Sequence, residues 1–459
     1  MSIRTIRVEK IGGTSMTKFD DILKNVILKD KSDVTDRIIV VSAYGGITNE
    51  LLEHKKSDKP GVYTIFAQQK NFRPSLEELK KKLFEINHGF KNIKLDVELA
   101  NQFIEEKINK ASDYLSSMED VLASGYLKLT DILLAARELL ASIGESHSAF
   151  NSCEILKANG YKSLCVDLSG WGDHRNLTIN ERVKDCFKDI KYSENIIFAT
   201  GYTKGVEGIM REFDRGYSEV TFSKIAVEVK AKEAIIHKEY HLCSADPNIV
   251  GKDVVSPVGK TNYDVADQLA DVGMEAIHPK AAKPLERDGI QLRVRNAFEP
   301  DHEGTLITKD YICPYQKTEI IAGSNEVYAV EVHDAGMVGE VGFDLNIMQI
   351  FAKYGISYIG KSTNANSICI VTSVINDDLI KELSDKYEVV TAEPLAMVCA
   401  IGSNIAKPGV LAKAAGALAD AKVNIVAIMQ TTRQTNMQFV IQRESFNIAI
   451  KALHKALCE

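Results

Sequence analysis

The chain has 459 residues, of which 45% are hydrophobic and 26% charged; at ordinary domain sizes this predicts two to four domains with sizeable cores. No apolar run approaches the ~18 residues needed to cross a bilayer, so the composition excludes an integral membrane protein as well as a disordered chain or a single small module. The net charge of −7 comes from 63 acidic and 56 basic residues mixed along the chain, which offers no basic stripe for nucleic acid.

The N-terminal segment and the cysteines indicate the compartment. The segment Met1–Thr5 begins a polar and apolar alternation without the apolar core of a secretion signal. The cysteines form no CxxC pair and have no histidines at metal-ligand spacing, so we expect reduced, mostly buried thiols in a cytoplasmic protein. They are Cys153, Cys165, Cys186, Cys243, Cys313, Cys369, Cys399 and Cys458.

The chain opens with two successive strand–loop–helix units. A strand around residues 6–9 is followed by Gly12-Gly13 and a helix with apolar residues at helical spacing over 19–27. The apolar run 38–41 then leads into a small polar loop and a helix for which Thr48 is the expected N-cap. Two such units predict a parallel sheet with ligand-facing loops at its carboxyl edge.

The chain from residue 50 to about residue 295 continues the α/β pattern. Residues 50–130 are rich in Lys and Glu at helical spacing and predict a helical excursion from the sheet. We expect one helix around residues 132–140 and another that begins after Gly144 and ends at Asn159-Gly160 in a left-handed cap. Strands and helices alternate from there to about residue 295, which predicts an αβα sandwich with a mostly parallel sheet.

The pattern changes after Pro314, where the chain contains an internal duplication. Residues 328–371 and 397–441 each read as strand, helix, strand, strand. We expect two α+β units of βαββ type that pack sheet against sheet. The polar segments 362–367 and 430–436 are either effector-binding edges or ordinary loops between strands.

Two loops of the first units carry side chains suited to a phosphorylated ligand. In Lys10–Ser15, paired glycines permit close backbone approach, the following helix start offers N–H groups and Lys10 adds a cation. The spacing is not that of a P-loop, so a plain glycine turn with a solvated lysine stays open. The hydroxyls of the loop from Ser42 to Thr48 are able to hold a carboxylate, although Thr48 is equally suited to capping its helix.

Two later segments carry charges suited to an amino acid. Glu145 stands at the predicted helix start after Gly144, where it either stabilises the helix dipole or binds a substrate ammonium group. Arg215, beside Gly216, is able to grip a carboxylate bidentately, and Glu219 to orient a lysine or to hold magnesium through water.

Together these segments resemble aspartokinase, the amino-acid-kinase enzyme that phosphorylates the side-chain carboxylate of aspartate. The two C-terminal repeats resemble the paired ACT domains with which that family senses amino acids, so the resemblance covers nearly the whole chain. The matching segments are KIGGTS at 10–15, VVSAYGGITN at 40–49, GES at 144–146, ATGY at 199–202, DRGYSE at 214–219, SADP at 244–247, and the run from Ile277 to Ile307.

The resemblance implies roles for individual residues around aspartate and the phosphoryl group. Lys10 would be catalytic and stabilise charge on the transferred phosphoryl group, with Glu219 completing the lysine and phosphate network. Glu145 would bind the α-ammonium of aspartate and Arg215 its α-carboxylate. The remaining substrate-binding residues would be Ser42, Thr48 and Ser218.

The resemblance also implies a nucleotide site for ATP with Mg²⁺. Gly12 and Gly13 would donate backbone N–H groups to the phosphates beside Lys10, and no protein side chain would ligate the metal directly. The rest of the ATP site would comprise Lys238, Cys243, Ser244, Asp246 and Asn248.

The chain departs from the family pattern at three informative positions. Tyr217 replaces a glycine, Glu219 replaces an aspartate, and Glu275 stands where the family has a lysine that meets the ATP phosphates. Lys238 or Lys280 is the expected source of the missing positive charge. The altered segments are similar to those of the divergent aspartokinases associated with ectoine gene clusters.

The resemblance predicts three domains: a catalytic domain at 1–312, a first ACT-like unit at 313–392 and a second at 393–459. It implies a cytoplasmic homo-oligomer that makes 4-phospho-L-aspartate for lysine, threonine and methionine synthesis, or for ectoine, with an amino-acid effector at the ACT-like units. Two alternatives remain open: a catalytically weak amino-acid-binding regulator, and a kinase of the same fold acting on another carboxylate such as glutamate.

Overall fold

The computed structural model describes residues 5–30, 34–54, 57, 59–213, 216–274 and 276–459. Its strands are β1 Arg7–Ile11, β2 Arg37–Val41, β3 Ser163–Val166, β4 Ile196–Thr200, β5 Glu233–Lys238, β6 Lys260–Asn262, β7 Gln291–Asn296, β8 Thr305–Thr308, β9 Ile320–His333, β10 Gly360–Thr363, β11 Ser367–Thr372, β12 Val389–Ile401, β13 Ile425–Met429 and β14 Asn436–Ile441.

The α-helices follow in chain order. They are α1 Gly13–Thr17, α2 Phe19–Ile22, α3 Ile47–Leu51, α4 Val62–Ala67, α5 Arg73–Gly89, α6 Val97–Ala123, α7 Leu129–Ala158, α8 Ile179–Phe187, α9 Ile209–Glu212, α10 Tyr217–Glu228, α11 Pro247–Val250, α12 Tyr263–Ala270, α13 Pro279–Arg287, α14 Phe343–Lys353, α15 Asp377–Ser384, α16 Val410–Asp420 and α17 Phe446–Leu457. None of these helices is long and apolar enough to span a bilayer.

The contacts divide the chain into two units. One comprises the residues up to His241 together with Ile277–Leu306, and the other comprises Leu242–Ala276 together with Ile307–Glu459. The segment Leu242–Ala276 therefore groups with the C-terminal part, because Ala245 is fully buried in the core of the second repeat. The domain boundaries at 312 and 392 stay predictions.

The first unit contains six parallel strands in the order β3-β4-β2-β1-β5-β7. All five residues of β2 are buried, as expected for a central strand of a parallel sheet covered on both faces. Helices α4, α5 and α6 supply the helical excursion predicted for residues 50–130. The mostly parallel α/β architecture is confirmed.

The predicted helix start at Gly144 is wrong. Helix α7 runs without interruption from Leu129 to Ala158, so Gly144 lies in its interior. A Cβ at Gly144 would meet the Cβ of Ala43 at 2.5 Å, so the glycine permits close packing and does not mark a helix start. The predicted left-handed cap is confirmed, since Gly160 has φ +89°.

The second unit contains both βαββ repeats, β9-α14-β10-β11 and β12-α16-β13-β14. Their strands form one antiparallel sheet in the order β10-β11-β9-β12-β14-β13. The expectation that the repeats pack sheet against sheet is wrong, because β9 and β12 pair edge to edge over most of their length. Each repeat buries its own helices, with α14 and α15 on the first and α16 and α17 on the second.

Candidate active site

The carboxyl edge of the parallel sheet brings the first two loops together. Lys10 pairs in register with Val40 of β2 and Ile236 of β5, so the chains leaving β1 and β2 emerge side by side. A Cβ at Gly13 would lie 2.7 Å from the carbonyl oxygen of Ala43. Gly13 therefore permits the close approach of the two loops, a packing role that differs from the predicted approach to a ligand.

Lys10 forms an ion pair with Glu219 in the first turn of α10. Its Nζ lies 3.5 Å from Glu219 Oε1, and both side chains are nearly buried. The Lys10 side chain also lies next to the glycine loop, because its Nζ is 3.9 Å from the position that a Cβ added to Gly12 would occupy. The pair places a positive charge directly at the mouth of that loop.

Glu219 is held in its ionised form between cations and a backbone donor. Its Oε2 accepts a 2.7 Å hydrogen bond from the backbone N–H of His278. Burial by itself raises the pKa of Glu219, but the charges of Lys10 and Lys238 and the His278 N–H outweigh burial and lower it. Glu219 thus orients Lys10 and interacts electrostatically with Lys238.

Two serine hydroxyls lie beside this ion pair. Ser42, directly after β2, donates to Ser218 Oγ at 3.2 Å. A Cβ at Gly201 would approach Ser218 Cβ and the Val41 carbonyl oxygen at 2.7 Å each, so only glycine fits after β4. The predicted Ser42 and Ser218 are therefore neighbours.

Glu145 projects from the middle of α7 into the same region. Its side chain is buried, and its Oε1 accepts a 2.7 Å hydrogen bond from the Tyr217 hydroxyl. Its Oε2 is buried without a hydrogen-bond partner in the described part of the chain. Burial raises the pKa of Glu145 to about 7, although the Tyr217 hydroxyl, the backbone N–H groups of Glu145 and Ala43, and the charge of Lys10 lower it in part. Because a buried carboxylate oxygen without a partner is energetically costly, this oxygen is suited to binding a cationic group of a ligand.

Thr48 does not cap its helix, so that expectation is wrong. Helix α3 begins at Ile47 after Gly46, whose φ of +84° is left-handed, and Thr48 lies inside the helix. The left-handed glycine turn replaces a side-chain cap. The Thr48 side chain instead hydrogen-bonds that of Tyr217, which brings it into the Glu145 cluster.

The two lysines considered as replacements for the family lysine lie in different surroundings. Lys238 ends β5 and its charge reaches Glu219. Lys280 lies 4.8 Å from the centroid of the Phe213 ring and donates to the Glu212 carbonyl oxygen at 3.3 Å. Arg215 and Glu275 lie outside the described residues.

The predicted nucleotide segment after β5 belongs to the second unit. Ser244 Oγ lies 2.8 Å from His454 Nε2 of α17, and the Ser244 carbonyl oxygen accepts from Ile321 N–H. Asp246 caps α11 by accepting from the Asn248 N–H at 2.8 Å. Cys243 pairs with Pro257 in a short antiparallel bridge. Their predicted contacts with ATP stay predictions.

Two residues that the structure adds to the site, Tyr217 and His278, were not predicted as site residues. Both stand within the quoted motifs, but neither side-chain type indicates its contact. Tyr217 reaches Glu145, and the backbone of His278 rather than its ring holds Glu219. Backbone donors leave no signal in side-chain chemistry.

Taken together, the described residues combine an anion-attracting lysine, a glycine-lined loop, two hydroxyls and a buried carboxylate oxygen that lacks a partner. This set is suited to holding a phosphorylated ligand next to a ligand that carries an ammonium group. The described residues contain no group of three or more His, Cys, Asp or Glu side chains that could hold a metal ion.

Comparisons with known proteins match both parts of the chain. The amino acid kinase family model matches residues 5–296 and an ACT domain model matches residues 398–457. The aspartate kinase Ask_Ect of Stutzerimonas stutzeri is 46% identical over 463 aligned positions, covering 98% of this chain and 97% of that protein.

Solved structures share the fold. Aspartokinase III of Escherichia coli in complex with aspartate and ADP is 21% identical, with a TM-score of 0.74 and coverage of 99% of this chain and all of that one. The same enzyme in complex with lysine and aspartate has a TM-score of 0.75 at 21% identity and the same coverage.

Proposed function

Since this chain belongs to the amino acid kinase family and, within it, to the aspartate kinases, we propose a specific reaction for the site built around Lys10 and Glu145. The enzyme transfers the γ-phosphoryl group of MgATP to the side-chain carboxylate of L-aspartate, forming 4-phospho-L-aspartate and ADP. The observation that carries this proposal is the buried Glu145 Oε2, which has no hydrogen-bond partner among the described residues. The Glu145 side chain lies against Gly201 together with Ser218, the chain neighbour of the Glu219 that pairs with Lys10.

Glu145 defines the substrate end of the site. Its Oε2, which has no partner among the described residues, accepts a hydrogen bond from the α-ammonium group of aspartate. Burial favours the protonated carboxyl, with a pKa of about 7. The positive charge of the bound ammonium group takes the place of that proton. Arg215 holds the α-carboxylate, and Ser42, Thr48 and Ser218 donate hydroxyl hydrogen bonds around the reacting groups. An amino acid whose amine is acylated lacks the cation that this carboxylate requires.

Lys10 defines the phosphoryl end. The carboxylate of aspartate attacks the γ-phosphorus in line, so no protein nucleophile is needed and catalysis rests on positioning and electrostatic stabilisation. Lys10 Nζ, held 3.5 Å from Glu219, meets the charge that develops on the phosphoryl oxygens. The backbone N–H groups of Gly12 and Gly13 hold the phosphates from the other side.

Lys238 supplies the cation that Glu275 does not. Its charge already acts on Glu219. Lys280 instead contacts the Phe213 ring and the Glu212 carbonyl oxygen. The remaining ATP contacts are those predicted for Cys243, Ser244, Asp246 and Asn248. Mg²⁺ enters as part of MgATP, bound chiefly by the phosphates and water.

A second ligand site lies on the ACT-like sheet. A cavity of about 320 Å³ is lined by Ser362, Thr363, Asn364 and Ser367 together with Glu331 and Glu393. These two acids and the neighbouring hydroxyls suit an amino-acid effector with an accessible ammonium group, in keeping with the predicted edge at 362–367. The solved E. coli relative in complex with lysine supports such a site.

The proposal extends to the cellular setting. The enzyme works in the cytoplasm as a homo-oligomer and supplies an activated aspartate for amino-acid synthesis. The 46% identity with Ask_Ect supports the narrower assignment to the ectoine-associated subgroup. The domain limits at 312 and 392 complete this proposal.

ADP release tests the proposed reaction. Purified enzyme with MgATP is expected to form ADP at a rate that rises with L-aspartate and saturates. Formation that is equal with and without aspartate would contradict the proposal.

A further inference from the structure

Tyr217 lies in direct contact with the group that we assign to the substrate ammonium. Its hydroxyl donates to Glu145 Oε1 at 2.7 Å, and both side chains are buried. The other carboxylate oxygen, Oε2, has no partner in the described part of the chain. The phenol therefore occupies one side of the carboxylate and leaves the other side to a ligand.

The phenol is itself fixed from several directions. Thr48 hydrogen-bonds it from α3, and the ring of Tyr202 contacts its ring edge to face with centroids 6.3 Å apart. Tyr217 is also the first residue of α10, two positions before Glu219. The same turn thus carries the contact to Glu145 and the contact to Lys10.

We propose that Tyr217 is a positioning residue for aspartate: its hydroxyl fixes the Glu145 carboxylate so that Oε2 faces the substrate ammonium. The proposal rests on the proposed function, because it names the substrate group that Oε2 receives. A charged hydrogen bond of this kind is short and stronger than a neutral one, and 2.7 Å fits that description.

The charged and titratable groups around Glu145 agree with this role. The Tyr217 hydroxyl from α10, the backbone N–H groups of Glu145 and Ala43, and the charge of Lys10 from β1 favour the ionised carboxylate, whereas burial opposes ionisation. Tyr202, after β4, and Glu138, on α7 itself, form a neighbouring pair at 2.7 Å. Removing the Tyr217 hydroxyl leaves the backbone N–H groups and Lys10 to oppose burial, so the pKa of Glu145 rises further.

The test compares Tyr217→Phe with Tyr192→Phe, which removes a partly buried tyrosine hydroxyl that donates to the Phe187 carbonyl oxygen at 2.8 Å, away from Glu145. We expect Tyr217→Phe to raise KM for aspartate on the order of 10-fold with little change in kcat or in KM for ATP. The acid limb of kcat/KM for aspartate is expected to move to higher pH by about one unit. Tyr192→Phe is expected to keep the wild-type values.

A second variant guards against a folding defect. Thr48→Val leaves the phenol in place but removes one of its anchors, so we expect a smaller shift of the acid limb in the same direction. Tyr217→Phe with an unchanged KM and acid limb, or with a loss confined to kcat, would overturn the inference alone. Wild-type enzyme that forms no aspartate-dependent ADP and binds no aspartate in calorimetry would overturn the proposed function and the inference together.

Discussion

The Nζ of Lys10 lies 3.5 Å from Glu219 Oε1, although the two residues are 209 positions apart in the chain. Lys10 ends up there because β1 is a central strand, and Glu219 because α10 starts at the same sheet edge. The pairing gives the lysine a fixed direction before any ligand binds. Such preorganisation is what electrostatic catalysis of phosphoryl transfer requires.

Loss of the Lys10 charge is expected to slow the reaction. Lys10→Ala should lower kcat about 100-fold or more, because charge on the phosphoryl oxygens loses a preorganised cation. The control is Lys188→Ala, an exposed lysine paired only with nearby Asp185 among the described residues, which should keep the wild-type rate. A kcat within about threefold of wild type for Lys10→Ala would contradict the assignment.

Measurements of KM for ATP can identify which lysine supplies the positive charge that is missing at Glu275. Lys238→Ala is expected to raise KM for ATP about 10-fold, because its charge reaches Glu219. Lys280→Ala is expected to change it less than twofold, because that side chain is held by Phe213 and Glu212. A larger effect at Lys280, or no effect at either position, would refute the choice of Lys238.

The ionised carboxylate of Glu145 is expected to lower the stability of the fold while it binds the ammonium group of aspartate. Its pKa of about 7 in the folded protein lies above its ordinary 4.5, so the fold favours the protonated carboxyl. The contribution of the protonated Glu145 carboxyl to the free energy of unfolding is fully present below about pH 4.5, falls as the pH rises and is lost above about pH 7. The free energy of unfolding therefore decreases by up to about 3 kcal/mol over this range.

Glu145→Gln removes the charge and so should raise the midpoint of thermal unfolding at pH 8 relative to wild type. The difference should shrink as the pH falls toward 5. The same variant should lose aspartate binding in calorimetry, because an amide offers no charge to the ammonium. An equal midpoint at all pH values would show that Glu145 is not destabilised when ionised.

Gly216 is expected to be required for the position of His278. Its φ is +76°, and a Cβ there would lie 2.8 Å from a ring carbon of His278, the residue whose N–H holds Glu219. Gly216→Ala should therefore lower kcat/KM about 10-fold or more beyond any loss of stability. Gly172→Ala is the matched control, since Gly172 has φ +74° with nothing within 4 Å of its Cβ position; equal activities of the two variants would contradict this explanation.

Much of the architecture could be predicted because it depends on local pattern. The apolar run at 38–41 forms a fully buried central strand, and the duplicated βαββ order after Pro314 is present. The neighbouring positions of Lys10, Ser42, Ser218 and Glu219 follow from strands that end at one sheet edge. The order of the motifs along the chain therefore predicted which of these side chains lie close together in the fold.

Other features could not be predicted because they depend on packing between distant segments. Gly144 resembles a helix breaker in sequence, yet it lies within α7 because Ala43 packs against it. The edge-to-edge pairing of β9 with β12 involves strands with no distinguishing composition. The contact of Tyr217 with Glu145 spans 72 positions, and a tyrosine in place of a glycine gives no indication of its partner.

The most direct measurement is trapping of the acyl phosphate with hydroxylamine in a reaction containing MgATP and either L-aspartate or L-glutamate. The proposed site predicts aspartyl hydroxamate from wild-type enzyme, little product from glutamate, and about 100-fold slower formation by Lys10→Ala. Product from neither amino acid would contradict the reaction, and product from glutamate alone would show that the fold phosphorylates a different carboxylate.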